Sequence, residues 1–212
     1  MGVVGRFIQC ALYSGTFASS VYTLHWLQND FVTPISQSYG SHFQFVTILG
    51  LTFTGIAQLF GLFGVLSGIR SFRNIKAYMD LIAAPLEVLI SVGYWGIVAY
   101  DRKLLMDPEI APIPPLMFDI FLHALPAVSE IIDVLVFAPR WTKSYEVLPL
   151  FFAVAGGYWS WVHLTFEKNG FFPYPLFAIV DTPGRAGIFT FATLFVSVVY
   201  GLLKRLQNVV RG

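Results

Sequence analysis

The residues best suited to chemistry sit in oily surroundings. His123 lies midway along an apolar stretch, and a neutral imidazole there accepts a proton from any hydroxyl within hydrogen-bond reach. Thr47, on another apolar stretch at similar depth, carries such a hydroxyl. Paired, the two would perform acyl transfer, with threonine attacking an ester carbonyl and histidine moving the proton to the leaving alcohol. Asp119, one helical turn before His123, has the spacing either to orient the imidazole or to remain a solvated interfacial carboxylate. Thr47 can equally bond back to the Phe43 carbonyl four residues earlier, as threonines in membrane helices do. His163 reads as an alternative base, a substrate contact or a hydrogen-bonded structural histidine. His25 and His42 fall at span ends, where solvated histidines are expected. No helix carries His-x-x-x-His or Glu-x-x-His spacing, and no Gly-x-Ser-x-Gly elbow, Walker loop or dinucleotide fingerprint occurs. Neither a metal nor another cofactor is expected.

The elements that must position these groups follow from composition. Of 212 residues, 56% are hydrophobic and 12% charged, against roughly a quarter charged in an ordinary soluble domain. Mean hydropathy is +0.69. At about 20 residues per crossing, apolar stretches near 5–28, 43–69, 77–100, 114–137, 147–167 and 184–206 predict an all-α polytopic membrane protein. The expected architecture is a single domain over 1–212, a bundle of six transmembrane helices. Pro34, the Asp107-Pro108 to Pro115 segment and the Asn169-Gly170 to Pro175 segment supply the breaks. Phe7 to Thr23, with Ala18, Ser19 and Ser20, also resembles a signal peptide, but the apolar run continues to Trp26 and favours an uncleaved first span. Arg6 stands where a myristoylation signal needs Ser or Thr.

Lys and Arg total 13 against 12 Asp and Glu, with no basic run to neutralise a row of phosphates, so nucleic acid is not an expected partner. Nine cations, among them Arg6, Arg70, Arg73, Lys76 and Lys143, fall on the side of the N-terminus; Arg102, Lys103, Lys168 and Arg185 fall opposite. The positive-inside rule then places both termini in the cytosol. Trp26, Tyr100, Trp141 and Tyr145 sit near span ends, as interfacial aromatics should. Cys10 is the single cysteine, which excludes an internal disulfide.

Residues three, four and seven apart share a helix face. Asp119, His123, Pro126, Glu130 and Asp133 therefore form one stripe. So do Thr47, Gly50, Thr54, Gln58 and Gly61; then Asp80, Glu87, Ser91 and Tyr94; then Gly156, Ser160, His163 and Glu167. Ionisable groups in hydrocarbon face a bundle interior or a wet cavity, and facing stripes can bound a cavity that holds an amphiphile. Polar side chains also glue membrane helices together at about 0.6 kcal/mol each, and the pattern alone leaves both readings open. Pro126 frees the Leu122 carbonyl and predicts a kink beside His123. Gly64-x-x-x-Gly68 permits a close helix contact.

Several blocks together resemble a known family. They are Phe45-Val46-Thr47-Ile48-Leu49; Asp80-Leu81 with Pro85 and Tyr94-Trp95; Tyr100-Asp101-Arg102-Lys103-Leu104-Leu105; His123 before Pro126; and Phe166-Glu167-Lys168-Asn169-Gly170 through Tyr174-Pro175-Leu176-Phe177. The chain resembles, over most of its length, the androgen-induced and androgen-dependent multipass proteins that hydrolyse fatty acid esters of hydroxy fatty acids. The resemblance implies a six-helix membrane bundle with Thr47 and His123 as the catalytic pair. It also implies a lipid ester substrate that joins two acyl chains and keeps one free carboxylate. Two positions depart from the family pattern: Ile120 stands where another histidine is frequent and Ala124 where a threonine is, which bears on substrate preference.

The expectation is an intramembrane threonine hydrolase of lipid esters in the bilayer, in the endoplasmic reticulum or alternatively the plasma membrane. No pattern specifies an oligomeric state. A nucleophile inside a helix has its own N–H spent, so oxyanion donors are sought at Ser91, Tyr94 and Trp95. Asp119 and His163 are expected at the substrate, with Glu87 and Glu130 nearby. Arg70, Arg73, Arg102, Lys103 and Lys168 are candidates to meet a carboxylate headgroup. The alternatives are a non-catalytic lipid or sterol binder and a proton-coupled transporter using Asp80, Glu87, Glu130 and Asp133.

Overall fold

The computed structural model describes residues 2–106, 112–142 and 145–212, and no strand occurs among them. Helices satisfy their own backbone polar groups, which hydrocarbon demands of any single segment. In chain order they are α1 (Val3–Asn29), α2 (Val46–Ser67), α3 (Arg70–Asp101), α4 (Leu116–His123), α5 (Leu125–Val136), α6 (Leu148–Asn169), α7 (Pro175–Ile179) and α8 (Thr182–Val210). All six apolar stretches are thus helical. Three segments, Val46–Ser67, Arg70–Leu104 and Thr182–Val210, are long and apolar enough to cross a membrane by length and composition. The expectations placed on Asp107, Pro108, Lys143 and the Tyr145 side chain lie outside the described residues.

Two boundaries differ from the hydropathy reading. α3 begins at Arg70 rather than near residue 77, because Gly68 takes a left-handed conformation (φ 71°) that ends α2, and only Gly68 and Ile69 separate the helices. Arg70, Arg73, Asn74 and Lys76 make this first stretch polar, so hydropathy misses it. The fourth stretch does not merely kink. It breaks at Ala124 (φ −122°, ψ −49°), with Pro126 in the first turn of α5, where a missing N–H does no harm. His123 is therefore the last residue of α4.

Below that break the polar stripes lock helices together. Lys76 Nζ lies 2.7 Å from both Asp80 Oδ1 and Asp133 Oδ2, and Asp133 Oδ1 accepts from the Tyr13 hydroxyl at 2.6 Å. Gln58 donates to Glu130 at 2.6 Å, and Thr54 to Glu87 at 2.8 Å. Gly61 is what lets α3 approach α2, since a Cβ there would overlap the Lys76 stem and the Tyr13 ring. Lys76, expected on the terminal surface, is only 3% exposed. Trp141 is likewise no interfacial anchor: it is buried, stacked on Tyr200 of α8 with ring centroids 4.7 Å apart. Gln207 of α8 closes that end, accepting from the Trp141 N–H at 2.8 Å and donating to the Val134 carbonyl at 2.8 Å.

Removing one partner of a buried ion pair strands the other charge at a cost of about 3–5 kcal/mol. Lys76→Met leaves Asp80 and Asp133 buried without their cation, so we expect a loss of that order, read as a lowered unfolding midpoint in detergent.

Candidate functional site

The Thr47 end of the site is built from a loop pinned by α6. Asn169 grips the Tyr39 N–H and carbonyl, each at 3.0 Å, and donates to Gln44 Oε1 at 3.1 Å. Trp161 Nε1 donates to the Phe43 carbonyl at 2.8 Å. That carbonyl is the acceptor a helical threonine at position 47 would otherwise use, and the Thr47 hydroxyl does not bond to it. Phe45 is extended and α2 starts at Val46 with no side-chain cap. In place of a cap, the Tyr158 hydroxyl accepts the Val46 N–H at 3.1 Å and donates to the Gln44 carbonyl at 3.0 Å. Tyr174 meets Phe45 edge-on with ring centroids 5.3 Å apart and lines the same cavity as Thr47 and Tyr158.

This corrects one expectation. Thr47 is the second residue of α2, and the first N–H groups of a helix have no intrahelical acceptor. The Thr47 N–H is not spent in the helix.

The His123 end rests on Asp119. His123 Nδ1 lies 3.2 Å from both an Asp119 carboxylate oxygen and the Asp119 carbonyl. Both neighbours are acceptors, so Nδ1 carries the hydrogen and Nε2 keeps the lone pair. Asp119 is 2% exposed, not a solvated interfacial group. It also accepts from the Tyr94 hydroxyl at 2.5 Å and lies 3.6 Å from the Arg102 guanidinium. Tyr94 stacks flat on the imidazole, centroids 3.4 Å apart and planes 1° from parallel. The ring is thus fixed in tautomer and orientation by α3 and α4 together.

Thr47 and His123 line one cavity of about 310 Å³, whose walls are mostly Leu, Ile, Val and Phe. Its polar side chains include Thr47, His123, Tyr94, Arg102, Tyr158, Tyr174 and His42. A mostly apolar pocket of about 300–1,000 Å³ with a few placed polar groups is the usual form of a small-ligand site. No hydrogen bond joins Thr47 to His123; the threonine stands at the start of α2 among the cavity residues with Tyr158 and Tyr174, and the imidazole lies under Tyr94. Ser91, Trp95 and His163 are not brought to this cavity. Trp95 meets only the edge of Tyr94, while His163 bonds to the Trp159 carbonyl at 2.9 Å and packs on Trp159 and Phe172. The α6 stripe of Ser160, His163 and Glu167 points away, and α6 presents Phe151 and Tyr158 instead. Glu87 and Glu130 belong to the locking network, as do Asp80 and Asp133. Among the described residues no three His, Cys, Asp or Glu side chains gather as a metal site.

His42 is a residue that sequence reasoning set aside. It is 7% exposed and its Nε2 donates to the Leu27 carbonyl at 2.9 Å, fastening the loop to the end of α1. Tyr158 and Tyr174 were missed too. Tyr174 opens the Tyr174-Pro175-Leu176-Phe177 block, which hinted at it; Tyr158 had no signal, because it lies off the polar stripe of its own helix.

An all-helical membrane protein with a histidine-bearing apolar cavity is the class these features define. The FAR-17a/AIG1-like protein family matches residues 8–208, and the chain belongs to that family. A UPF0641 membrane protein of Schizosaccharomyces pombe is 35% identical over 201 residues, covering 94% of this chain and 90% of the relative. The human androgen-dependent TFPI-regulating protein is 21% identical over 187 residues, covering 84% and 81% of the two chains. The human androgen-induced gene 1 protein is 23% identical over 190 residues, covering 82% and 80%. No solved structure matches.

Burial holds the His42 imidazole below its ordinary value of 6.5, against the opposing pull of the Leu27 and Phe31 backbone. A depressed folded value means that stability is full above 6.5 and is lost as pH falls and the unfolded chain takes up the proton first. Thermal unfolding followed downward from neutral pH is expected to show this loss, and His42→Gln to remove part of it.

Proposed function

We propose that the protein is an intramembrane hydrolase of lipid carboxylic esters, with Thr47 as nucleophile and His123 as base. The observation that carries the proposal is the shared cavity: a threonine at the open start of α2 and an imidazole whose Nδ1 is held by a buried carboxylate line the same apolar space. Apo catalytic contacts are often long and tighten only with substrate, so an ester seated between the two groups would complete the line.

In the first half-reaction the Thr47 oxygen attacks the ester carbonyl carbon while its proton passes to His123 Nε2. The tetrahedral intermediate collapses, the carbon–alkoxy oxygen bond breaks, and His123 returns the proton to the leaving alcohol. Water then attacks the acyl-threonine by the same route and releases the fatty acid. Asp119 orients the ring and stabilises the imidazolium as it forms. The open N–H of Thr47 and the Tyr174 hydroxyl at the same cavity are the donors best placed for the oxyanion. Arg102 at the cavity wall suits the free carboxylate of a fatty acid ester of a hydroxy fatty acid, the substrate that the family resemblance implies.

The membrane arrangement proposed with this chemistry has six crossings, α4 and α5 sharing one, with both termini cytosolic in the endoplasmic reticulum. Parity supports it. The start of α1, the α2–α3 turn and the ends of α5 and α8 gather around one cavity, whereas the end of α1, the start of α2 and the end of α3 gather around the other. A non-catalytic lipid binder would need the cavity but not the fixed imidazole.

Purified protein turned over on a hydroxy-fatty-acid ester tests the proposal. Thr47→Ala and His123→Ala should abolish hydrolysis and labelling by a fluorophosphonate probe, and Asp119→Asn should slow kcat by about 10²–10⁴-fold. Hydrolysis that persists in both alanine variants sinks it.

A further inference from the structure

A second cavity, of about 380 Å³, opens at the other end of the bundle. Its floor is the buried Lys76–Asp80 pair, and its rim carries Arg70, Arg73 and Arg211 with Asn74 and Gln9. Among the described residues Asp80 is the only acid lining this cavity, and it shares Lys76 with Asp133, each at 2.7 Å. The rim arginines meet no carboxylate among the described residues. Arg73 spends one N–H on the Gly68 carbonyl at 3.3 Å and Arg211 one on the Ala138 carbonyl, which leaves several donors of each guanidinium free. Arg70 is exposed and has no partner among the described residues.

The start of α3 adds to the same sign of field, while Arg73 and Arg211 each hold a carbonyl at the C-terminal ends of α2 and α5. α3 starts at Arg70 with no side-chain cap and no acid in its first turn, so its N-terminal N–H groups and the positive end of its dipole stay uncompensated. Depth is set by the helices. α2 and α3 are both long and apolar enough to cross the membrane and are joined by the turn at Gly68 and Ile69, so the rim sits where a bilayer carries its headgroups. Guanidinium forks there match phosphate oxygens in shape and charge.

We propose that this cavity is an anion site for a phosphate group, carried by an anionic lipid headgroup of the facing leaflet or free in solution. It is separate from the Thr47–His123 cavity and does not depend on hydrolysis.

The test uses full-length protein in phosphatidylcholine nanodiscs with phosphatidic acid added, and in a second arm with inorganic phosphate alone, read by retained ligand in native mass spectrometry and by the unfolding midpoint. Wild type should retain phosphatidic acid. Each juxtamembrane cation contributes roughly fivefold to binding an anionic surface, so Arg70→Gln/Arg73→Gln should weaken retention by about 25-fold. Both residues are exposed, so the variant keeps its fold. Lys168→Gln, outside this cavity, should leave the response to inorganic phosphate unchanged. Retention of phosphatidic acid without a response to phosphate assigns the lipid as the source; a response to both assigns the phosphate group itself. Retention undiminished in Arg70→Gln/Arg73→Gln, or no response to either ligand, overturns the proposal.

Discussion

The ammonium of Lys76, held between two carboxylates, is the interaction on which the rest of the architecture depends. A lone charge in hydrocarbon costs several kcal/mol, so Lys76, Asp80 and Asp133 are stable there only as a set, with α3 and α5 in register. Tyr13 brings in α1 through Asp133, and Gly61 brings in α2 by leaving room for the Lys76 stem. Four helices are thereby fixed near one end. Their other ends then have a defined place, and Thr47 and Tyr94 are carried there by α2 and α3. Above the ion set, Gln58–Glu130 and Thr54–Glu87 continue the lock up the bundle, each polar group meeting another across a helix boundary.

The polar stripes were legible, but they do both of the jobs that the pattern offered as alternatives. On α2 the stripe begins at Thr47 beside the cavity and ends at Thr54 and Gln58 inside the lock. On α3 it runs the other way, from Asp80 and Glu87 in the lock to Tyr94 against His123. Packing glue and cavity lining are thus successive segments of the same faces, not rival readings of them. The α6 stripe shows the limit of periodicity: spacing identifies a face without saying which way it points. Ser160 and His163 turn from the cavity because the opposite face carries Tyr158 and Phe151, whose larger apolar surfaces gain more from burial.

Other features escaped for reasons of physics. A loop clamp depends on contacts far apart in sequence, so the Asn169 grip on Tyr39 and the Trp161 bond to Phe43 leave no local pattern, although the Asn169-Gly170 block stood out by resemblance. His42 looked like a wetted loop residue because its acceptor is a backbone carbonyl on the preceding helix, which no side-chain motif announces. Trp141 sat at a predicted span end, yet the chain after α5 folds inward to meet Gln207, so an expected interfacial aromatic became core. Arg70 to Lys76 read as a loop by hydropathy because an amphipathic first turn lowers the mean while still forming helix.

The break at Ala124 explains why the fourth stretch can serve both jobs. A continuous helix would carry Asp119 and His123 on a rigid axis set by Glu130 and Asp133, and the orientation of the imidazole would be a by-product of the ion lock. With α4 ended at His123 and α5 restarted over Pro126, the two halves are independently aimed. α5 answers to Lys76 and Gln58, while α4 answers to Tyr94 and to Trp26, whose ring stacks on Phe118 at 3.9 Å. The site therefore lies between two helix termini, the open N–H end of α2 and the closing residue of α4. In hydrocarbon, termini are where unpaired backbone groups and a mobile proton can coexist without unravelling a span.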